Sequence, residues 1–187
     1  MHVTVVTPPG AEAIVTLADA KQHLRVDSSD EDILIQGLIS AACEWIDGPN
    51  GWVGRSFGNQ TLEARFSCFP SDYIVLPYGP VVDVASIKYL NTSGAEQTMP
   101  SADWVKLSDG RLTPAATASW PALYSNREAV RVSYDAGYAD GKVPAAVRAA
   151  VLLTVDYLFQ NRGATADGAL TSGSILALLS PFRAWTI

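Results

Sequence analysis

The sequence predicts an α+β protein, a helical core interrupted by an inserted antiparallel β-sheet or small sandwich. Three observations predict it. Apolar residues recur at spacings of three and four over 16–46 and again after Pro144, the period of helices packed along one face. Between about Arg55 and Asp135 the period changes to short runs rich in Val, Ile, Tyr and Phe, separated by turn residues, which is the pattern of antiparallel strands. The chain of 187 residues is long enough for one good core plus an inserted module, and short for two independent domains. The expected organisation is an N-terminal arm over 1–15, a helical core from 16–54 and 136–162, the β insert over 55–135, and a linker with a C-terminal tail over 163–187.

The elements follow in order. His2 to Val6 alternates enough for a short strand or arm, ended by Pro8-Pro9-Gly10; arms of this kind dock on a neighbour. Thr16 with Asp19 three residues on is an N-cap signal for a short helix over about Leu17 to Leu24. Ser28 or Ser29 repeats the signal. Asp30, Glu31 and Asp32 then fall in the first turn of a second helix, whose apolar face carries Ile33, Leu34, Leu38, Ala41, Ala42, Trp45 and Ile46. That acidic triplet is better read as stabilising the helix dipole than as a metal or acid-base cluster. Gly48-Pro49-Asn50-Gly51 stops the helix.

In the insert, Thr61 to Phe66 alternates, Tyr73 to Leu76 is a short strand closed by Pro77, and Val82 to Leu90 leads into the turn Asn91-Thr92-Ser93-Gly94. Trp104 to Leu107 enters a second hairpin at Ser108-Asp109-Gly110, and Ala129 to Tyr134 alternates again. Six to eight strands fit, with no helix among them. A sheet of that size needs a covered face. The helices or a neighbouring subunit are the expected cover.

Pro144 opens the longest helix, since the first helical position tolerates a residue without an N–H. Val147, Ala150, Val151, Thr154, Val155 and Leu158 repeat at helical spacing, and Ala146, Ala149, Leu152, Leu153 and Phe159 widen the apolar surface beyond one stripe, so this helix is covered on most sides. At about 27 Å it is too short, and too interrupted by Arg148 and Asp156, to cross a bilayer. Gly163 to Gly173 has the composition of a flexible linker. Ile175, Leu176, Leu178 and Leu179 then form a short apolar turn before Ser180-Pro181-Phe182-Arg183-Ala184-Trp185. An apolar tail on a tether must be received by something, its own core or another chain; another chain is the expectation.

Composition narrows function. Residues are 48% hydrophobic and 17% charged, against about 25% charged in a usual domain, which suggests buried subunit contacts. The net charge is −6 and the 13 basic residues are scattered singly, leaving no footprint for gripping phosphates. Cys43 and Cys68 have no close-spaced partner and are expected as reduced, buried thiols. His2 and His23 are the only imidazoles, which gives no support to a metal or His-based catalytic site. A carboxylate pair among Asp103, Asp109 and Glu128 lacks any accompanying nucleophile or phosphate loop. No enzyme, cofactor or metal is expected. With no signal-peptide pattern at the N-terminus, synthesis in the cytoplasm is expected. Trp52, Trp104, Trp120, Tyr73, Tyr78 and Tyr124 keep open an alternative, a carbohydrate- or surface-binding β module that stacks rings on sugars.

One ordered set of features resembles a known family. Tyr134-Asp135-Ala136-Gly137-Tyr138, Val143-Pro144 opening the long helix that ends in Gln160-Asn161-Arg162, and the later Leu178-Leu179-Ser180-Pro181-Phe182-Arg183 resemble the gp6-like phage head-tail connector (adaptor) proteins, also called DNA-packaging or head-completion proteins. Leu17-Ala18-Asp19-Ala20-Lys21 and the helix through Trp45 and Ile46 look like that family's opening helices. The strand-rich insert departs from its shortest, nearly all-helical members. The resemblance implies a structural protein of the virion neck, assembled in the host cytoplasm. It further implies a homo-oligomeric ring, commonly of twelve copies, beneath the portal protein, joining it to a stopper or tail-completion protein and letting genomic DNA pass without specific binding. It also implies a portal-binding C-terminal segment, here Leu178, Leu179, Pro181, Phe182, Arg183 and Trp185.

Overall fold

The computed structural model describes residues 1–139, 141–162 and 172–184. The fold is α+β, and the chain divides into two compact units, a sheet unit of Met1–Pro8 with Gln60–Gly137 and a helical unit of Pro9–Asn59 with Tyr138–Ile187.

The helical unit is built on α1 (Leu17–Leu24), α2 (Asp32–Ile46), α3 (Ala145–Gln160) and α4 (Gly173–Leu179). Thr16 caps α1 in a complete capping box: its side chain accepts from the Asp19 N–H at 3.1 Å, and the Asp19 carboxylate accepts from the Thr16 N–H. This satisfies two amides the helix itself leaves unpaired. The expected Ser cap of α2 is not used. Its N-cap residue is Glu31, without a side-chain capping bond, and the acidic residues around it serve as ion-pair partners, Glu31 of Arg162 and Asp32 of Lys21, each at 2.6 Å. Pro144 lies one residue further out than expected, as the N-cap of α3, where its carbonyl accepts from Val147 and Arg148.

Ile35, Ile39, Ala42 and Ile46 of α2 and Val147, Ala150, Val151 and Val155 of α3 are all buried in one core with Ile14, Val15, Val53 and Phe57. Thr154 is buried among them because its hydroxyl is returned to the Ala150 carbonyl at 2.8 Å, which cancels the cost of an unpaired polar group. Only Ala145 and Gln160 of α3 are exposed, so the breadth of its apolar surface is used.

The sheet unit holds seven strands: β1 (His2–Thr7), β2 (Gln60–Phe66), β3 (Val81–Leu90), β4 (Glu96–Thr98), β5 (Trp104–Lys106), β6 (Leu112–Pro114) and β7 (Val130–Ala136). Five form an antiparallel sheet in the order β1-β2-β7-β3-β4, and β5 with β6 forms a hairpin. The run at Tyr73–Leu76 is reduced to a single bridge, Ile74 to Leu112, and a short 3-10 turn at Ser101–Asp103 appears where no helix was expected. β1, expected as a short strand or arm, is a strand at the edge of the sheet and pairs with β2 from His2↔Arg65 to Thr7↔Thr61.

Alternation along the strands sends Leu62, Ala64, Val84, Ile87, Val130, Val132 and Tyr134 to one buried face. The unit covers that face with its own loops and hairpin, which supply Ile74, Leu76, Met99 and Leu112. Tyr134 is fully buried, and its hydroxyl donates to the Pro77 carbonyl at 2.7 Å. Phe69 lies between Trp120, stacked at 4.6 Å, and the edge of Tyr89 at 6.2 Å. The opposite face carries one cross-strand row of Arg65, Arg131 and Lys88. Like charges side by side are unfavourable, and carboxylates offset them: Glu63 and Glu128 hold Arg65, and Glu96 holds both Arg131 and Lys88.

Candidate functional site

The residues singled out in the C-terminal segment sit on the helical unit. α4 inserts Ile175 and Leu179 into the core, at 2% and 0% exposure, while Leu178 and Phe182 pack against it half-buried. A 3-10 turn at Ser180–Phe182 follows, with Pro181 exposed. The Phe182 ring meets the face of Phe57 edge-on at 6.0 Å, and Phe57 is stacked in turn on Tyr138 at 6.3 Å. The Arg183 guanidinium lies 4.3 Å over the Trp52 ring, and Trp52 stacks on Trp45. The Ala184 N–H donates to the Val53 carbonyl at 2.9 Å. Its own core therefore receives the described part of the tail, where a second chain was expected. The physical reason is the apolar shelf that Val53, Phe57 and Trp52 provide after α2, whose complementarity to Leu179 and Phe182 no local pattern displays. Trp185 and most of the 163–173 linker lie outside the described residues.

The shelf is fixed by a residue the sequence reading missed. Asp47 follows the C-terminal turn of α2, where the helix dipole disfavours a carboxylate, and it is 8% exposed. Its Oδ1 accepts from the Phe57 N–H at 2.6 Å and its Oδ2 from the Gly58 N–H at 3.1 Å, and the adjoining Gly48 N–H, which donates to the Arg55 carbonyl at 2.8 Å, also favours the charged form. Burial pushes the Asp47 pKa up, and the three amides pull it down by less. A β-carbon on Gly58 would stand 2.6 Å from the Pro9 β-carbon, so only glycine admits this approach. The Tyr138 N–H donates to the Phe57 carbonyl at 3.0 Å. Pro9, Phe57-Gly58 and Tyr138 thus gather around one carboxylate. An acidic residue straight after a helix, ahead of Gly-Pro-Asn-Gly, was the available signal.

Other sequence candidates are dispersed. Asp109 pairs with Arg111 at 3.2 Å and Glu128 with Arg65 at 2.8 Å, which ties each carboxylate to a cation. Among the described residues no group of three His, Cys, Asp or Glu side chains is placed to hold a metal ion, and no helix is long and apolar enough to cross a membrane. Cys43 is half-buried, its thiol pushed up to about 12 chiefly by burial, with Asp47 and Glu44 adding to the shift; such a thiol is unreactive. Cys68 is exposed rather than buried, because it falls in a bend just after β2. Trp52 is in the helical unit under Arg183, Trp104 and Trp120 pack in the sheet unit's core, and Tyr73 lies under Arg111.

The comparisons with known proteins agree with one another. Solved chains from gene transfer agent (GTA) particles share the fold. A chain from "Virion of native gene transfer agent (GTA) particle" has 21% identity and a TM-score of 0.77, and one from "Neck of empty GTA particle computed with C6 symmetry" has 21% and 0.76. One from "Neck of native GTA particle computed with C12 symmetry" has 20% and 0.76, and each match covers 100% of this chain and 97% of the other. No curated protein matches the sequence. A family model described as "Head completion protein" matches residues 13–173. That span takes in the opening helices, the whole sheet insert and α3, and on it the chain belongs to the head completion protein family.

Proposed function

We propose that this protein is a structural head-tail connector: copies form a ring in the virion neck beneath a portal, link the head to the stopper or tail, and leave a channel for DNA. The observation that carries the reading is the family match over residues 13–173, and the full-length likeness to chains from GTA necks supports it. The chemistry is that of a scaffold. Lys21, Arg65, Lys88, Arg111, Arg131, Arg148 and Arg162 are each engaged by a carboxylate. Cations neutralised in this way release few counterions from DNA, which suits a passage through which DNA slides.

In this reading the C-terminal segment meets the portal. Leu179 anchors it to its own core, and Leu178, Pro181, Phe182, Arg183 and Trp185 supply the contact. A short rigid element presented on a fixed shelf loses less entropy on binding than a free tail. The test is single-particle imaging of heads made without this chain, before and after the purified protein is added. Ring density beneath the portal and restored tail joining are expected. Heads that join tails equally well without the chain would overturn the proposal. Pro181→Asp combined with Arg183→Glu, both at the half-buried or exposed end of the segment, should leave the fold intact and abolish attachment to the portal.

A further inference from the structure

Two apolar surfaces have no partner among the described residues. The first is in the sheet unit. Ile74 and Leu112 exchange backbone bonds of 2.8 and 3.0 Å, Leu107 donates to the Arg111 carbonyl at 2.8 Å, and Val105 pairs with Thr113. The Ile74 segment, β6 and β5 therefore make a small three-stranded patch. Alternation turns Ile74 and Leu112 inward, both buried, and leaves Tyr73, Val75, Val105 and Leu107 on the outer face, between 39% and 56% exposed. Arg111 stands among them with its guanidinium 4.3 Å over the Tyr73 ring. Four large apolar side chains on one open face mark a contact surface rather than ordinary scatter.

The second surface is on α2. Ile33 is 87% exposed, and Gly37 and Ala41 continue its stripe at spacings of four. Glycine within a helix costs about 1 kcal/mol relative to alanine. Among the described residues no packing contact requires Gly37, because a β-carbon there would meet no atom within 4 Å. Beside it opens a hollow lined by Ala11, Glu12, Gln36, Gly37 and Ser40. Glu12 is exposed and has no cationic partner among the described residues.

The surfaces carry opposite charges, Arg111 on one and Glu12 on the other. One is apolar and carries Arg111, paired with Asp109 at 3.2 Å, beside its hairpin turn. The other offers an apolar knob, Ile33, and a hollow beside a carboxylate. A closed ring is built head to tail, so each subunit must carry two different faces that fit each other. We infer that the outer face of Tyr73, Val75, Val105 and Leu107 of one copy docks on the α2 stripe of a second copy. Ile33 seats against Val105 and Leu107, and Arg111 passes over Gly37 to reach Glu12. The absent side chain of Gly37 leaves room for the guanidinium, which is the reason for glycine at that position. This contact rests on the ring proposed above.

Charge reversal in the full-length protein tests it. Arg111→Glu and Glu12→Arg should each lower ring occupancy in the particle neck about tenfold or more, the scale of a broken interfacial charge pair. The double variant should restore it. A purely local role of Arg111, over Tyr73 and beside Asp109, would not respond to a change at Glu12. A benzophenone side chain at Val105 should cross-link in intact particles to 33–41 of another copy. A double variant that fails to recover, or a cross-link that leads to a different protein, overturns the contact while the chain is still found in the neck. Absence of the chain from the neck overturns the connector reading itself, and this contact with it.

Discussion

The two ends of the chain are attached by opposite means. β1 joins its sheet chiefly through the main chain, paired with β2 from His2 to Thr7 with one register shift after Val5, and His2, Val5, Val6 and Thr7 stay exposed at the edge. α4 joins the helical core through side chains, Ile175 and Leu179 wholly inside and Phe182 and Arg183 laid on aromatic rings. The difference follows from hydrogen-bond supply. An edge strand has free N–H and C=O groups along its length to offer a neighbour. A helix has spent its own internally, so only its side chains can attach it. One terminus should therefore tolerate side-chain changes that the other does not.

The sharpest way to break this comparison is Leu179→Ala. Truncating a fully buried leucine should cost about 2–5 kcal/mol, and hydrogen exchange should show 173–184 losing protection while β1 and β2 keep theirs. Equal loss in both units would mean that α4 is not held locally. Next comes Asp47→Asn. The amide keeps one acceptor oxygen but turns an NH₂ toward a backbone donor, leaving a buried N–H unsatisfied at about 1–3 kcal/mol, and Phe182 should loosen with the Phe57 shelf.

The pH dependence of that variant has a definite sign. The folded Asp47 pKa is raised, so this group's contribution is full below the unfolded value, near 3.9, and is lost as pH rises through the folded one. Asp19, lowered mainly by the Thr16 hydroxyl with Arg148 contributing, does the reverse. Its contribution is present above the unfolded value and is lost as pH falls through the folded one. Denaturant titrations across the acid range should show the Asp47 slope in the wild type and not in Asp47→Asn.

Arg183→Ala should cost about 0.5–1 kcal/mol, the worth of a partly exposed cation over an indole, with a change in Trp52 fluorescence. Val5→Thr, on the strand held by its backbone, should stay within about 0.5 kcal/mol in chemical denaturation. A larger loss there would show that β1 depends on its side chains after all.

How far the fold could be read depended on the range of the interaction that made each piece. The capping box at Thr16 and Asp19 spans three residues, and α1 lies where those residues place it. The alternations at Thr61–Phe66 and Ala129–Tyr134 each encode a face, and both became strands with that face buried. Glu31 and Asp32 also carry a local signal, but their partners Arg162 and Lys21 come from elsewhere in the chain, and the expected serine cap is not used. The candidate site divides in the same way. Leu178, Leu179 and Phe182 announced a need for burial, whereas the shelf of Trp52, Val53 and Phe57 that meets it is held by Asp47.

The sequence by itself determined the α+β class, the helical period before and after the insert, and a tail that had to be covered. Only the tertiary structure decided that β1 joins the edge of the chain's own sheet and that the helical core receives Ile175, Leu179 and Phe182 of the tail. The physical reason is that periodicity and caps report which groups must leave water or find a hydrogen bond, and these are properties of single segments. Which surface receives them depends on the mutual fit of residues far apart in the chain, and that fit exists only once the core has assembled.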